Sequence, residues 1–332
     1  MAAPKPRVAL LGATGAVGAE ILQVLEERHF AVRELRAYAS PESEGQELEF
    51  RGESVKLRRA RAEEIAACDL VICAARGALT ELLPALRRGS AAVIDVSGAL
   101  EADLSVPLFL PGVTPALDAK TRPCFVAIPR GVAAGLALAL APFARAALLR
   151  RATAVTLESA SGAGIAGVGE LTDHTVQVLN RMSGERSESE VFAQSLAFDC
   201  LPQIGALEPS GDTTDELALA RVLRRLLPAT GLALELTRVR IPTLGGSLAT
   251  VHIELAKPLG LDEVRTLLGS ERGITLLPDT ELPTPRAALG HDDVAVGRLR
   301  ASGQRVAFVL ALNDLRLGAA LGVVGAAEAL QL

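Results

Sequence analysis

The sequence contains no Trp and a single Tyr, and aromatic residues make up 3% of its 332 positions. Base-stacking platforms need aromatic faces, so this scarcity argues against nucleic acid as a partner. A basic excess is also missing: the net charge is −5, which leaves no positive footprint for a polyanion. Cysteine is sparse. Cys68, Cys73, Cys124 and Cys200 stand at no CxxC spacing, which excludes zinc-ribbon and thioredoxin-like chemistry, and no metal site is expected. Reduced thiols in the cytoplasm are expected instead. No apolar leader is expected at the start, because Val8–Leu11 is too short. One apolar run, Gly131–Leu149, reaches the length of a membrane span. It contains Pro142 and Arg145 and runs into Arg150 and Arg151, so a buried helix is expected and a membrane is not.

What remains is 49% hydrophobic and 22% charged, enough apolar residues for a large core. The length suits two domains at roughly 150 residues each. A short strand at residues 7–12 is followed by a helix over Ala19–Glu27, with Ile21, Leu22 and Leu25 on one face. Further strands are read near Val32–Ala39, Asp69–Ala74 and Ala91–Asp95, with a helix at Leu82–Arg88. This alternation predicts an α/β fold with an N-terminal Rossmann-like parallel sheet. Beyond about residue 130 the strict alternation stops. Strands at Ala152–Ser159, Leu232–Arg240 and Thr250–Leu255 and helices at Glu170–Met182 and Thr214–Leu227 suit an α+β domain. Ser183–Glu190 reads as a surface loop and Asn313–Leu332 as a closing helix. The expected organisation is a dinucleotide-binding domain over 1–130, an α+β dimerisation or substrate domain over 131–312, and a segment 313–332 returning to the first.

The first strand ends in Gly12-Ala-Thr14-Gly15-Ala16-Val17-Gly18. Glycines at this spacing, between a strand and a helix, let the backbone turn tightly and approach a pyrophosphate at the helix N-terminus. Cofactor choice belongs to the end of the second strand, which reads Ala39-Ser-Pro-Glu42-Ser43-Glu44-Gly45. A 2′-phosphate needs a cation or several donors there. Glu42 and Glu44 offer the opposite charge, so NAD is favoured over NADP if a cofactor binds.

The glycine turn and the helix Glu20-Ile-Leu-Gln-Val-Leu-Glu-Glu resemble the opening of the aspartate-semialdehyde dehydrogenase family. Asp95-Val-Ser97 resembles that family's Asp-Asn-Ser, and Val106-Pro-Leu-Phe-Leu-Pro111 its Val-Pro-Leu-Val-Val-Pro. Ser161-Gly162-Ala-Gly164 is identical to its Ser-Gly-Ala-Gly. Arg240-Ile-Pro242, Asp292-Asp-Val, Gly297-Arg and Leu315-Arg with Gly318-Ala-Ala320 match in order and spacing. The resemblance implies a Rossmann domain, a dimerising α+β domain and a homodimer. It also implies an oxidoreductase of amino-acid biosynthesis that binds NADP and passes through a cysteine thioester with a histidine acid–base.

The positions that carry this chemistry depart from the pattern. The family's Asn-Pro-Asn-Cys matches Ile128-Pro-Arg130-Gly131, so glycine replaces the nucleophile. Its histidine matches Ser247, which cannot shuttle protons near neutral pH. Its glutamine matches Glu158, whose charge would repel an anionic substrate. Its phosphate-side arginine matches Glu101, a lysine matches Ala218, and the cofactor-side Ser-Ala-Gly-Gly matches Ala74-Ala-Arg76-Gly77. Arg240 and Glu216 remain as polar substrate contacts, and Arg76, Ser161 and Gly162 as cofactor-side residues. Cys124 stands seven positions before Gly131, too far along its strand to replace the nucleophile. Cys73 and Cys200 read as structural. His252 is placed on the opposite strand face from Ser247, and His29, His174 and His291 read as surface or structural. The expectation is a catalytically degenerate homologue, resembling the Usg-type branch of the family, that retains dinucleotide binding and dimerisation or pairs with another protein. The alternatives are an oxidoreductase that reduces an aldehyde or oxo group without a thioester, and a structural subunit with an empty cofactor cleft.

Overall fold

The computed structural model describes residues 5–117, 124–180 and 188–331. By internal packing the chain divides into two units, Met1–Arg130 with Gly318–Leu332, and Gly131–Leu317.

Unit one contains β1 (Arg7–Leu11), α1 (Ala16–Glu27), β2 (Glu34–Tyr38), β3 (Glu47–Phe50), β4 (Glu53–Lys56), α2 (Ala62–Ala66), β5 (Leu70–Cys73), α3 (Arg76–Leu86), β6 (Ala92–Asp95) and β7 (Phe125–Ala127). Among the described residues, β2-β1-β5-β6-β7 form a parallel sheet and β3 and β4 a separate hairpin. Every residue of β5 and β6 is buried. Such short continuous apolar runs suit strands covered on both faces, which parallel sheets require. α1 buries Ile21, Leu22, Val24 and Leu25, and Val323, Val324, Ala326 and Ala327 of the C-terminal helix Gly322–Ala329 join the same core. Strand order reverses at β1, with β2 on one side and β5 on the other. The carboxyl ends of β1 and β5 therefore border a topological switch point, where open α/β sheets hold their ligands.

Unit two contains α4 (Val132–Arg145), β8 (Leu149–Glu158), α5 (Gly164–Leu179), α6 (Thr214–Leu226), β9 (Ala233–Arg240), β10 (Ser247–Leu255), α7 (Leu261–Gly269), β11 (Ile274–Leu276), α8 (Pro285–Ala288), β12 (Val294–Ser302) and β13 (Arg305–Leu312). The strands form a mixed sheet in the order β11-β12-β13-β10-β8-β9. α4 is buried from Val132 to Ala144, as an apolar run inside a core should be, and no described helix is long and apolar enough to cross a membrane. Residues alternate along β10. Ser247, Ala249, Val251 and Ile253 are buried, whereas His252 and Glu254 are exposed. His252 thus lies on the face opposite Ser247, as strand alternation predicts.

Several boundaries move. α1 begins at Ala16 and α3 at Arg76, the latter running through Pro84. The Asn313–Leu332 stretch is not one helix, since a π-helical segment at Arg316–Leu321 precedes Gly322–Ala329. The end of the expected Glu170–Met182 helix and most of the Ser183–Glu190 loop fall outside the described residues. β3, β4, β12 and β13 carried no sequence expectation. In β12 the alternation is broken by a register shift between Gly297 and Arg300, with Arg298 at φ +52°. β13 reads Arg-Val-Ala-Phe-Val-Leu-Ala-Leu, an apolar run whose periodicity cannot separate strand from helix.

The turn after β1 explains two of its three glycines. Gly12 has φ +82°, and a Cβ on Gly18 would stand 2.2 Å from the Gly12 carbonyl oxygen. That overlap is with backbone and cannot relax cheaply. Gly18→Ala is expected to lower unfolding free energy by about 3 kcal/mol. Gly77→Ala, in the first turn of α3 with nothing within 4 Å of its Cβ, should raise it by about 0.5–1 kcal/mol. Urea melts of the two variants check both signs.

Candidate functional site

In unit one, β1 delivers the chain into a turn closed by hydrogen bonds from Gly12 N and Ala13 N to Tyr38 O, at 2.9 and 3.1 Å. Gly15 caps α1 with φ −75° and ψ 161° and no side-chain cap, leaving the first N–H groups of that helix to a ligand or water. Thr14 is exposed, and Ala16 and Val17 are half-buried. Gly15 differs from its neighbours. A Cβ there would meet only Gly12 O at 3.4 Å, and its φ is ordinary, so the fold itself does not demand glycine. Close approach of an anion to the backbone does. At the end of β2, Glu42 sits exposed in a 3-10 turn over Pro41–Ser43. A bond from Ser40 and one from its own backbone hold its carboxyl below the usual range. Arg76 is exposed at the first residue of α3, after β5. Cys73 ends β5 fully buried, and burial pushes its thiol well above the usual range.

In unit two, strand register places Arg240, Glu158, Ser247 and Leu312 in one row across β9, β8, β10 and β13. Directly paired residues share a sheet face, and all four are buried. Glu158 is not a free charge. Arg238 binds it with two bonds of 2.7 Å, and Thr156 Oγ1 donates to the same carboxylate at 2.7 Å. Burial opposes the charge on Glu158, but the Arg238 guanidinium outweighs it, and the carboxyl is held below its usual range. The expected repulsion of an anionic substrate is thereby largely cancelled inside the structure. Arg240 Nη1 donates to Ser159 O at 2.6 Å. A Cβ on Gly162 would stand 2.4 Å from that Nη1. Gly162 therefore makes room for Arg240, while Ser161 Oγ shares a 2.8 Å bond with Ser159 Oγ.

Glu216, expected to contact substrate, caps a helix. Its Oε2 accepts from Thr213 N at 2.8 Å and its Oε1 from Arg238 N at 3.0 Å. Both oxygens serve backbone, in a reciprocal capping box at the start of α6. Glu101, the reversed charge, faces Arg130 at 3.6 Å. Cys200 is exposed rather than part of the core, and Cys68 is buried. Among the described residues no group of His, Cys, Asp and Glu could hold a metal.

Sequence reasoning missed Asp314. Its Oδ2 accepts from Ser247 Oγ at 3.2 Å, and its Cβ would lie 3.8 Å from a Cβ on Gly131. Gly131 caps α4 at φ 51° and ψ −129°. Gly131 and Ser247 thus both adjoin this one aspartate. Burial pushes the Asp314 carboxyl up, with the charge of Glu158 adding to it. Asp314 lay unnoticed because it sits between two apolar stretches with no motif of its own. Asp292 and Arg316, from two of the C-terminal motifs, pair with each other.

Opposite shifts at Asp314 and Glu158 give opposite pH dependences. A raised carboxyl means that the folded state holds its proton longer, so its contribution is full below the unfolded pKa near 3.9 and is lost as pH rises through the folded value. Asp314→Asn removes this loss, and its urea midpoint should gain on the parent progressively above pH 4. Glu158, depressed, contributes above about pH 4.3 and loses that as pH falls through its folded value. Glu158→Ala, which removes both short bonds to Arg238 and leaves that guanidinium with Asp215, should cost about 2–3 kcal/mol at pH 7.

Residues 7–120 match the NAD binding domain of semialdehyde dehydrogenase, and residues 140–317 its dimerisation domain. An aspartate-semialdehyde dehydrogenase of Prochlorococcus marinus is 35% identical over 330 residues, covering 97% of this chain and 95% of the relative. Aspartate-semialdehyde dehydrogenase 2 of Vibrio cholerae is 32% identical, with 97% of each covered. The crystal structure of aspartate semialdehyde dehydrogenase II from Vibrio cholerae, complexed with ASA, superimposes with a TM-score of 0.90 at 31% identity. It covers 99% of this chain and 98% of that one. A Candida albicans enzyme solved with NADP, at 17% identity and TM-score 0.71, shares the fold. The chain belongs to the aspartate-semialdehyde dehydrogenase family.

Proposed function

We propose that this family member has lost the thioester reaction and persists as a dinucleotide-binding homodimer, in the branch that lacks the cysteine and histidine. The observation that carries the reading is Gly131. By resemblance it occupies the nucleophile's position, and its φ of 51° is one that a residue with a Cβ adopts only under strain. Backbone that has settled into a glycine conformation there no longer suits the thiol it would need. Ser247 at the histidine's position adds that no imidazole is present to take the proton. Dimerisation is supported by the matched domain and by Ile165, Val176, Val178 and Leu179 of α5, which expose large apolar side chains. The open sheet face is mixed in character, since His252 and Glu254 stand exposed beside half-buried Leu248 and Thr250.

The residues that would hold a dinucleotide are Gly12–Gly18, with Glu42 and Ser43 at the ribose end. When bound, such a cofactor supplies or accepts hydride. Glu42 favours NAD over NADP because a 2′-phosphate beside an ionised carboxylate is repelled.

Purified protein given aspartate semialdehyde, phosphate and NADP should show no reduction of the cofactor, and intact-mass spectrometry should find no acyl adduct. Steady turnover free of contaminating enzyme would overturn the reading. Gly131→Cys should gain a thiol that iodoacetamide labels, lose about 1–3 kcal/mol of stability, and still fail to turn over.

Calorimetric titration should give NAD at least several-fold tighter than NADP, with Glu42→Arg narrowing or reversing the gap. Gly15→Ala should leave the melt within about 0.5 kcal/mol of the parent while weakening NAD at least tenfold. Unchanged NAD affinity in that variant would mean that the turn does not cradle a pyrophosphate.

A further inference from the structure

The three strand ends that frame the glycine turn lie level. Leu11 of β1 pairs with Tyr38 of β2 on one side and with Cys73 of β5 on the other. Neighbouring strands stand about 4.8 Å apart, so the ends of β2 and β5 are separated by roughly 10 Å, with the turn between them. Beyond β2 the chain runs on to Glu42. Beyond β5 it runs through Ala74 and Ala75 to Arg76, the first residue of α3. This second path presses on the turn itself. A Cβ on Gly12 would stand 3.1 Å from Ala75 Cβ and 3.2 Å from the Ala75 nitrogen. Arg76 therefore follows directly on backbone that is in contact with Gly12.

Arg76 is exposed, and among the described residues no acceptor engages its guanidinium. Other arginines of this unit are answered: Arg7 and Arg33 face Asp69, Arg36 faces Glu34 and Arg58 faces Glu64. Asp95, level with Cys73 at the end of β6, spends its oxygens on Ser97 and Leu100. The two helices that start at this edge of the sheet, α1 and α3, both lack a side-chain cap. Their first N–H groups add the positive ends of two helix dipoles to the same edge. A guanidinium with five donors beside them finds its complement in an anion with several oxygens.

On the reading that a dinucleotide binds the glycine turn, we propose that Arg76 binds its pyrophosphate from the β5 side, while Glu42 acts on the adenosine ribose from the β2 side. Arg76 then serves a group that NAD and NADP share, and Glu42 the position at which they differ. Arg76 raises affinity for both cofactors and leaves their ratio alone. Calorimetric titration of the full chain with NAD, NADP and ADP at several salt concentrations tests it. In the parent, NAD affinity should fall as salt rises, because an exposed ion pair is screened. Arg76→Gln, which removes the charge and keeps a long polar side chain, should weaken all three ligands alike by about tenfold and flatten that salt dependence. Arg76→Lys, which keeps the charge, should bind NAD several-fold tighter than Arg76→Gln. Both variants should melt with the parent, since the side chain is exposed. Unchanged NAD affinity in Arg76→Gln, a loss confined to NADP, or equal affinities for the Lys and Gln variants would each overturn the proposal and leave the dinucleotide reading intact. A parent that binds none of the three ligands at millimolar concentration would overturn both.

Discussion

A carboxylate on the covered face of a sheet is costly unless something answers its charge, by several kcal/mol per ion. Glu158 is such a group, and much of unit two's local geometry follows from how it is answered. Arg238, two residues before the end of β9, turns its guanidinium onto both Glu158 oxygens. The same guanidinium reaches the Asp215 carbonyl, and the Arg238 backbone N–H binds Glu216. One ion pair thereby fixes the start of α6 against β9. Arg240 then cannot share the carboxylate on equal terms and turns to Ser159 O, which is why residue 162 must lack a side chain. The Ser-Gly-Ala-Gly motif is, in this chain, a seat for an arginine.

The glycines divide in an analogous way. Gly12 and Gly18 are dictated by the fold, one through its positive φ and the other through contact with the turn it closes. Gly246 is similar, at φ +74° with Pro285 O 2.3 Å from any Cβ. Gly15 has neither constraint. A residue that the structure would accept as alanine, yet is glycine at a helix N-terminus, points to something outside the chain that needs the space.

Much of this was legible in the sequence where one signal sufficed. The parallel sheet could be read because β1, β5 and β6 are short apolar runs between helices, and the long helix α4 because nothing polar interrupts it. β12 and β13 were not, since a bulge broke the alternation of one and continuous apolarity hid the period of the other. The site was half legible. Gly131, Glu158, Arg240 and Ser247 stand out against a family pattern, but their partners do not. Arg238 acquires meaning through strand register and Asp314 through the turn after β13, neither of which sequence spacing encodes. Glu216 carries two signals at once: a Glu three residues after Thr213 is a capping signature, and the family pattern marks the same residue as a substrate contact.

The departures from the family pattern come with answers nearby. Glu101, where the pattern has an arginine, faces Arg130, where the pattern has an asparagine. Glu158, where it has a glutamine, is held by Arg238. Gly131 occupies a backbone conformation that suits glycine. A site decaying without constraint would leave unmatched charges, because each replacement would be accepted or removed on its own cost. Here Glu101 and Glu158 each face an arginine, so the charge is answered where it arises. Asp314 stands apart. It is buried beside Gly131 and Ser247, and one of its oxygens has no hydrogen-bond partner among the described residues.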